Sequence, residues 1–184
     1  GKLKRLDFGA GAPLLLADAP NGRGGTWNTS GDILFTPSPN TAIFRVSALG
    51  GAASPDTVLD RAQEAVTHYW PQFLPDGRRF LYYQRSRTPE HQGVYVKTLG
   101  VDDGKRVLTT NGMALFSANR LLHLREGLLF TIDFDVETLE ARGDPVRVPD
   151  TENVGFFGGT LGYVAITASQ AGALAYGPSV VMTT

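Results

Sequence analysis

One turn phrase recurs along this chain at nearly constant spacing, and few folds accommodate that. "HYWPQFLPDGRRFLYY", residues 68–83, reads as a strand, a tight turn and a second strand. Three looser copies surround it: "TWNTSGDILFT" from Thr26, "ALFSANRLLHL" from Ala114 and "YVAITASQAGALAY" from Tyr163. Their turn residues, Gly31, Gly77, Asn119 and Gly172, lie 46, 42 and 53 positions apart. In the clearest copy Pro75 presets φ for the first turn position, Asp76 suits the second, and Gly77 takes the left-handed conformation that reverses the chain. Asn119 stands where glycine is missing, because asparagine tolerates that conformation better than most residues.

Each hairpin is followed by a third apolar run: "TAIFRVSAL" from Thr41, "GVYVKTL" from Gly93 and "GLLFTIDF" from Gly127. A weaker fourth run comes after: "DTVL" from Asp56, "KRVLTT" from Lys105 and "DPVRVP" from Asp144. Four strands in a unit of about 40 to 45 residues is the pattern of propeller blades, although a sandwich also yields many short strands. The expected fold is therefore all-β: a single β-propeller segment over residues 1–184, built of four-stranded antiparallel blades. Whole blades are expected at about 24–60, 67–110 and 112–149. Half blades flank them, with strands three and four at 2–18 and strands one and two at 160–177, which makes about four blade equivalents. Helix signals are nearly absent. Only "SPDTVLDRAQEAV", residues 54–66, could supply a turn or two, with Ser54 or Asp56 placed to cap it.

Composition narrows the function classes. A hydrophobic share of 42% with 19% charged residues is globular. A net charge of -1, with basic residues scattered in isolated pairs, gives no footing for nucleic acid. The chain has no cysteine, which excludes disulfides and thiolate metal sites. It opens on Gly1-Lys2 without a signal peptide and reads as a segment rather than a complete precursor. Residues 161–184 carry no charge, but Thr167, Ser169, Gln170, Gly172 and Pro178 interrupt them, so no membrane span is expected.

The stretches "GKLKRLDFGAGAPLLLADAPNGRGGTWNTSGDILF", "HYWPQFLPDGRRFLYY" and "LLHLREGLLFTIDFDVETLEARGDPVRVPD" resemble a known family. They are similar to the TolB-like, WD-type β-propeller repeats found C-terminal to many bacterial transmembrane serine/threonine protein kinases. The likeness runs from about Gly1 to Tyr176 and is most specific in "WPQFLPDG", Trp70 to Gly77. It implies an extracytoplasmic, non-catalytic sensory or binding module with an unknown protein or small ligand as partner. The surrounding blade pattern also occurs in TolB and in prolyl-oligopeptidase-type peptidases, where a propeller gates substrate access. A purely structural repeat fragment is the third possibility. The sequence has no "HRD", no "DFG" and no glycine-rich nucleotide loop, so it holds no kinase domain.

No catalytic constellation, metal site or cofactor is expected. His68, His91 and His123 are far apart, and no Gly-x-Ser-x-Gly elbow accompanies them. His123 is expected to be a satisfied strand histidine and His91 a solvated loop residue. "DFDVE" gathers Asp133, Asp135 and Glu137 but lacks the glycine and spacing of a calcium loop. The resemblance implies that Asp135 forms a turn before the last strand. "GRGGTWNTSG" lacks the ending that positions a phosphate. Trp27 and Trp70 occupy equivalent positions and are expected to fill wedges between blades. The segment "LDRAQEAVTHYWPQ", residues 59–72, links one blade to the next on the face where propellers bind ligands. Arg61, Glu64, His68 and Gln72 are therefore the candidate contact residues. Two half blades cannot stand with open edges, so either they pair within one chain or two chains exchange them in a homodimeric ring.

Overall fold

The computed structural model describes residues 1–152, 154–157 and 162–178. Positions 160 and 161 of the last expected half blade, and 179–184 of the charge-free stretch, lie outside them. The described chain is all-β apart from one 3₁₀ turn at Pro89–His91, and no described helix is long and apolar enough to cross a membrane.

The chain opens with a hairpin of β1 (Lys2–Asp7) and β2 (Ala10–Asp18). Three four-stranded antiparallel sheets follow, each a continuous stretch of sequence with its strands in chain order. The first holds β3 (Gly25–Trp27), β4 (Asp32–Phe35), β5 (Phe44–Ser47) and β6 (Ser54–Pro55). The second holds β7 (Ala65–Phe73), β8 (Arg79–Ser86), β9 (Gly93–Thr98) and β10 (Lys105–Leu108). The third holds β11 (Ala114–Ser117), β12 (Arg120–Arg125), β13 (Leu128–Asp135) and β14 (Glu140–Arg147). Two two-stranded sheets end the described chain: β15 (Phe156–Phe157) with β16 (Tyr163–Val164), and β17 (Ile166–Ala168) with β18 (Leu174–Tyr176). The β15–β16 pair has no counterpart in the sequence reading. Two fourth strands, at the outer edges of their sheets, carry a proline: β6, only two residues long, includes Pro55, and β14 includes Pro145. Proline donates no ladder hydrogen bond and is tolerated only at such edges.

Alternation along each strand explains why the sheets stack face to face. Successive side chains point to opposite faces, so a sheet covered on both sides needs apolar residues in both registers. Ile33 and Phe35 pack with Leu16 of the opening hairpin, whereas Leu34 between them packs with Phe80, Tyr82 and Tyr95 of the second sheet. Leu81 turns the other way, joining Val94 and Val96 against Phe116, Leu121 and Phe134 of the third sheet. Leu122 and Leu124 then face Val154, Val164 and Ile166.

Three of the four expected hairpin turns share one closure. Gly31, Gly77 and Gly172 have φ of 88°, 64° and 92°, and each donates its N–H to the carbonyl three residues earlier. Asp76 completes the middle turn by accepting from the backbone N–H groups of Arg78 and Arg79 while its carboxylate pairs with the Arg79 guanidinium. The Asn119 turn departs from them. Ser117 pairs directly with Arg120, and both intervening residues, Ala118 (φ 47°) and Asn119 (φ 58°), are left-handed.

The helical turn expected within residues 54–66 does not form. Ser54 and Pro55 are drawn into the ladder as β6, opposite Arg45 and Phe44. Asp56, read as a possible cap, instead accepts from the Gly100 backbone N–H and pairs with Lys97 Nζ at 3.3 Å, with both side chains buried. Only a hydrogen-bonded turn at residues 61–64 remains, and left-handed Glu64 (φ 48°) ends it.

First strands of successive sheets lie side by side, and this seam is closely packed. Gly24 has φ of 84°, and a Cβ there would come within 2.7 Å of the Trp70 ring and 3.1 Å of its Cα. Gly9, in the opening hairpin, has the same φ with open space around it. Gly9→Ala is expected to cost about 1 kcal/mol, the left-handed penalty alone, and Gly24→Ala about 2–4 kcal/mol because overpacking adds to it. Urea unfolding of the two variants checks this; equal losses would mean that the seam at Trp70 is open.

Candidate functional site

The residues singled out in segment 59–72 separate into three environments. Trp70 sits at a bulge: Tyr69 pairs with Tyr83 and Gln72 with Leu81, so Trp70 and Pro71 together face one residue of β8. Trp70 is left-handed, with φ of 56°, and its ring lies 4.9 Å from that of Tyr163. A bulky residue in that conformation is strained and persists only where its surroundings hold it. Here Gly24 and Tyr163 do so. Trp27 is different. It is 53% exposed, with the Arg5 guanidinium 5.8 Å from its ring centroid, so the two tryptophans are not equivalent and only Trp70 is enclosed between neighbouring strands.

Gln72 acts as a clamp across the seam between the second and third sheets. Its Nε2 donates to the Phe116 carbonyl at 3.0 Å, and its Oε1 accepts from the Phe116 N–H at 2.8 Å. A side-chain amide thereby supplies what a neighbouring backbone would in a continuous sheet. Seam contacts of the same kind join Phe73 N–H to Thr26 Oγ1, Trp70 N–H to the Arg23 carbonyl and Ser117 Oγ to the Ser169 carbonyl. At the far ends of β3, β7, β11 and β17 a cavity of about 530 Å³ opens. Trp27, Asn28, Gln72, Ser117, Asn119 and Gln170 are among its lining residues, none of which is charged.

His68 is withdrawn from any contact surface, contrary to its selection as a contact residue. It is 1% exposed because β7 lies between two packed sheets, where even its polar positions are covered. Its ring is fully satisfied. Gln84 Nε2 donates to Gln63 Oε1 and to the His91 carbonyl, so Gln84 Oε1 faces His68 Nε2, at 2.8 Å, as an acceptor. Nε2 therefore carries the proton, and Nδ1 accepts from Thr57 Oγ1 at 2.8 Å while that oxygen accepts from the Ile43 N–H. Burial lowers the His68 pKa to about 4. His123 is also buried, at 4% exposure, but neither ring nitrogen has a hydrogen-bond partner among the described residues. It is therefore not the satisfied strand histidine expected; it stacks on Phe130, and burial lowers its pKa. His91 sits at the end of the 3₁₀ turn and is half-buried.

Arg61 and Glu64 line a different cavity, of about 740 Å³, together with Asn40, Arg85 and Arg87. Sequence reasoning took the basic residues as scattered and missed that the fold gathers these three arginines. The available signal was the spacing in "QRSR", which puts Arg85 and Arg87 on one face of the end of β8. The carboxylates of "DFDVE" do not converge. Asp133 pairs with Arg120, and Asp135 accepts from the backbone N–H groups of Glu137 and Thr138, which hold its pKa below the usual carboxylate value. Among the described residues no group of three acidic or histidine side chains could hold a metal ion.

Both buried histidines predict acid sensitivity. Each folded-state pKa lies below the unfolded value of about 6.5, so below that pH the unfolded chain binds more protons and stability falls as pH falls; for His68 the window runs down to about pH 4. His68 contributes a slope of up to about 1.4 kcal/mol per pH unit in its window, and His123 acts in the same direction. Urea midpoints from pH 7 to 5 should drop, and His68→Gln should flatten the slope. An unchanged slope would show that His68 is not held neutral.

No protein-family model matches the chain, and no curated protein matches it either.

Proposed function

We propose that the chain is a segment of a β-propeller and serves as a non-catalytic binding or sensory module, of the kind carried outside the membrane by receptor-type bacterial kinases or TolB-like proteins. One observation carries this. The first strands of successive sheets converge and are joined by hydrogen bonds such as the Gln72–Phe116 clamp, and their far ends leave one uncharged cavity lined from four hairpins. That is the geometry expected of blades arranged around an axis. A cavity of aromatic, amide and hydroxyl groups suits recognition and offers no nucleophile paired with a base. The chain accordingly has no turnover of its own. A gating propeller of a prolyl-oligopeptidase-type peptidase is the second reading, and it is favoured by the same open cavity at the end of the first strands.

The two terminal hairpins point to a second copy of the chain as a partner in closing the ring. Within one chain β1–β2 and β17–β18 are separate two-stranded sheets, and the outer edges of β1 and β18 have no strand beside them among the described residues. An apolar cavity of about 370 Å³ lies between Leu3 of β1 and Trp27, Ile33 and Phe35 of the first sheet. The strands absent beside β1 are those that β17–β18 represent, so reciprocal exchange would complete a twofold ring.

Light scattering tests the assembly: a mass near twice 19.8 kDa is expected, and deleting residues 1–18 should cause aggregation or unfolding. A well-folded monomeric deletion variant would overturn it. Hydrolase, kinase and phosphatase assays are expected to stay at buffer rates. Turnover that disappears on His68→Ala or His123→Ala would refute the non-catalytic reading.

A further inference from the structure

We propose that the open surface cleft lined by Arg61, Arg85 and Arg87 binds a small ligand bearing more than one oxyanion group, phosphate or carboxylate. The site does not depend on ring closure, since its charged residues lie in the turn before β7 and at the end of β8, and Asn40 comes from the loop between β4 and β5 of the same chain.

The first argument is the pairing of arginines. Six of them, Arg5, Arg45, Arg79, Arg120, Arg142 and Arg147, form ion pairs with Asp or Glu. Arg23 donates to Asn21, and Arg106 donates to the Glu90 carbonyl. Arg61, Arg78, Arg85, Arg87 and Arg125 make no side-chain hydrogen bond or ion pair among the described residues, and three of these five line this one cavity. Three guanidinium groups around one space repel one another unless an anion lies between them. Arginine does not escape by losing its proton, because its pKa is too high.

The second argument is rigidity. The turn that carries Arg61 is tied to the end of β8 by hydrogen bonds on both sides of the arginines. Ser86 Oγ donates to the Gln63 carbonyl at 2.6 Å, and Arg87 N–H donates to the Glu64 carbonyl at 3.2 Å. Thr88 Oγ1 donates to Glu64 Oε2 at 2.6 Å, which occupies one oxygen of the only carboxylate in the lining. Three arginines less one glutamate leave the lining with a net charge of +2. These bonds fix the backbone from which the arginines extend, which lowers part of the ordering cost of binding a ligand.

The third argument is size and donor shape. A volume of about 740 Å³ exceeds what a single inorganic ion fills and falls within the range of small-molecule sites. Guanidinium forks match phosphate and carboxylate oxygens two at a time, which favours a ligand with several such groups over one with a single charge. Asn40, in a left-handed backbone conformation at the rim, adds an uncharged amide.

Calorimetric titration of the intact chain with pyrophosphate and, separately, with citrate distinguishes the two oxyanion sources at constant ionic strength. Saturable binding of at least one of them is expected, with a Kd of about 10 μM to 1 mM and marked weakening at higher salt. Arg85→Gln with Arg87→Gln should weaken it about tenfold or more, whereas Arg78→Gln and Arg125→Gln should leave it unchanged. Glu64→Gln should strengthen it severalfold by removing the opposing charge. This last variant keeps the hydrogen-bonding shape of the side chain and decides the matter even if the double variant does not fold. Absence of saturable binding of both anions, or an affinity indifferent to Glu64→Gln and to the double variant, would overturn the proposal.

Discussion

Everything else in this structure depends on how neighbouring first strands satisfy each other's edges. β7 and β11 belong to different sheets and share no ladder, so the Phe116 N–H and C=O need partners from outside their own sheet. Gln72 supplies both through one amide, at 2.8 and 3.0 Å. A buried backbone group left unmade costs about 1–3 kcal/mol, which is comparable to the gain from burying a large apolar side chain. The seam therefore holds at the distance set by one glutamine. At the neighbouring seam, between the first and second sheets, Trp70 N–H donates to the Arg23 carbonyl, Gly24 lies against the Trp70 ring, and Trp70 is left-handed.

Beneath the seam, most buried polar groups are matched. The Thr57–His68–Gln84 chain uses each donor and acceptor once, and the tautomer of His68 follows from the orientation of Gln84. Lys97 and Asp56 bury a full ion pair, with the Gly100 N–H satisfying the second carboxylate oxygen. Such a pair adds little net stability against an apolar replacement, yet losing one partner costs about 3–5 kcal/mol. Its effect is to hold the link after β6 to β9. Among the described residues the exceptions are His123, neither of whose ring nitrogens finds a partner, Arg23 Nε and Thr131 Oγ1.

Local features were legible in the sequence and long-range ones were not. The four-stranded sheets and the turns at Gly31, Gly77 and Gly172 were readable because turn chemistry and alternation act over a few residues. Ala118 was not: alanine carries no signal for a left-handed turn position, and only its neighbour Asn119 did. The helical reading of residues 54–66 failed because Asp56 is claimed by Lys97 and Gly100, more than forty positions away. His68 looked available in a linker, yet the linker ends before it and β7 is already enclosed there. Arg61 and Glu64 were singled out, but Arg85 and Arg87 join them only through the pairing of β7 with β8, which no window of sequence displays.

Each four-stranded sheet is one uninterrupted length of chain whose strands pair in the order they are synthesised. The loops closed in making a sheet are short, and long-range closure is needed only when finished sheets dock along the seam. The molecule thus behaves as a one-dimensional array, with cohesion inside each unit and a separable term for each junction. A nascent chain can complete the first sheet before the second has left the ribosome, and partial opening begins at junctions such as Gln72–Phe116 rather than within a sheet.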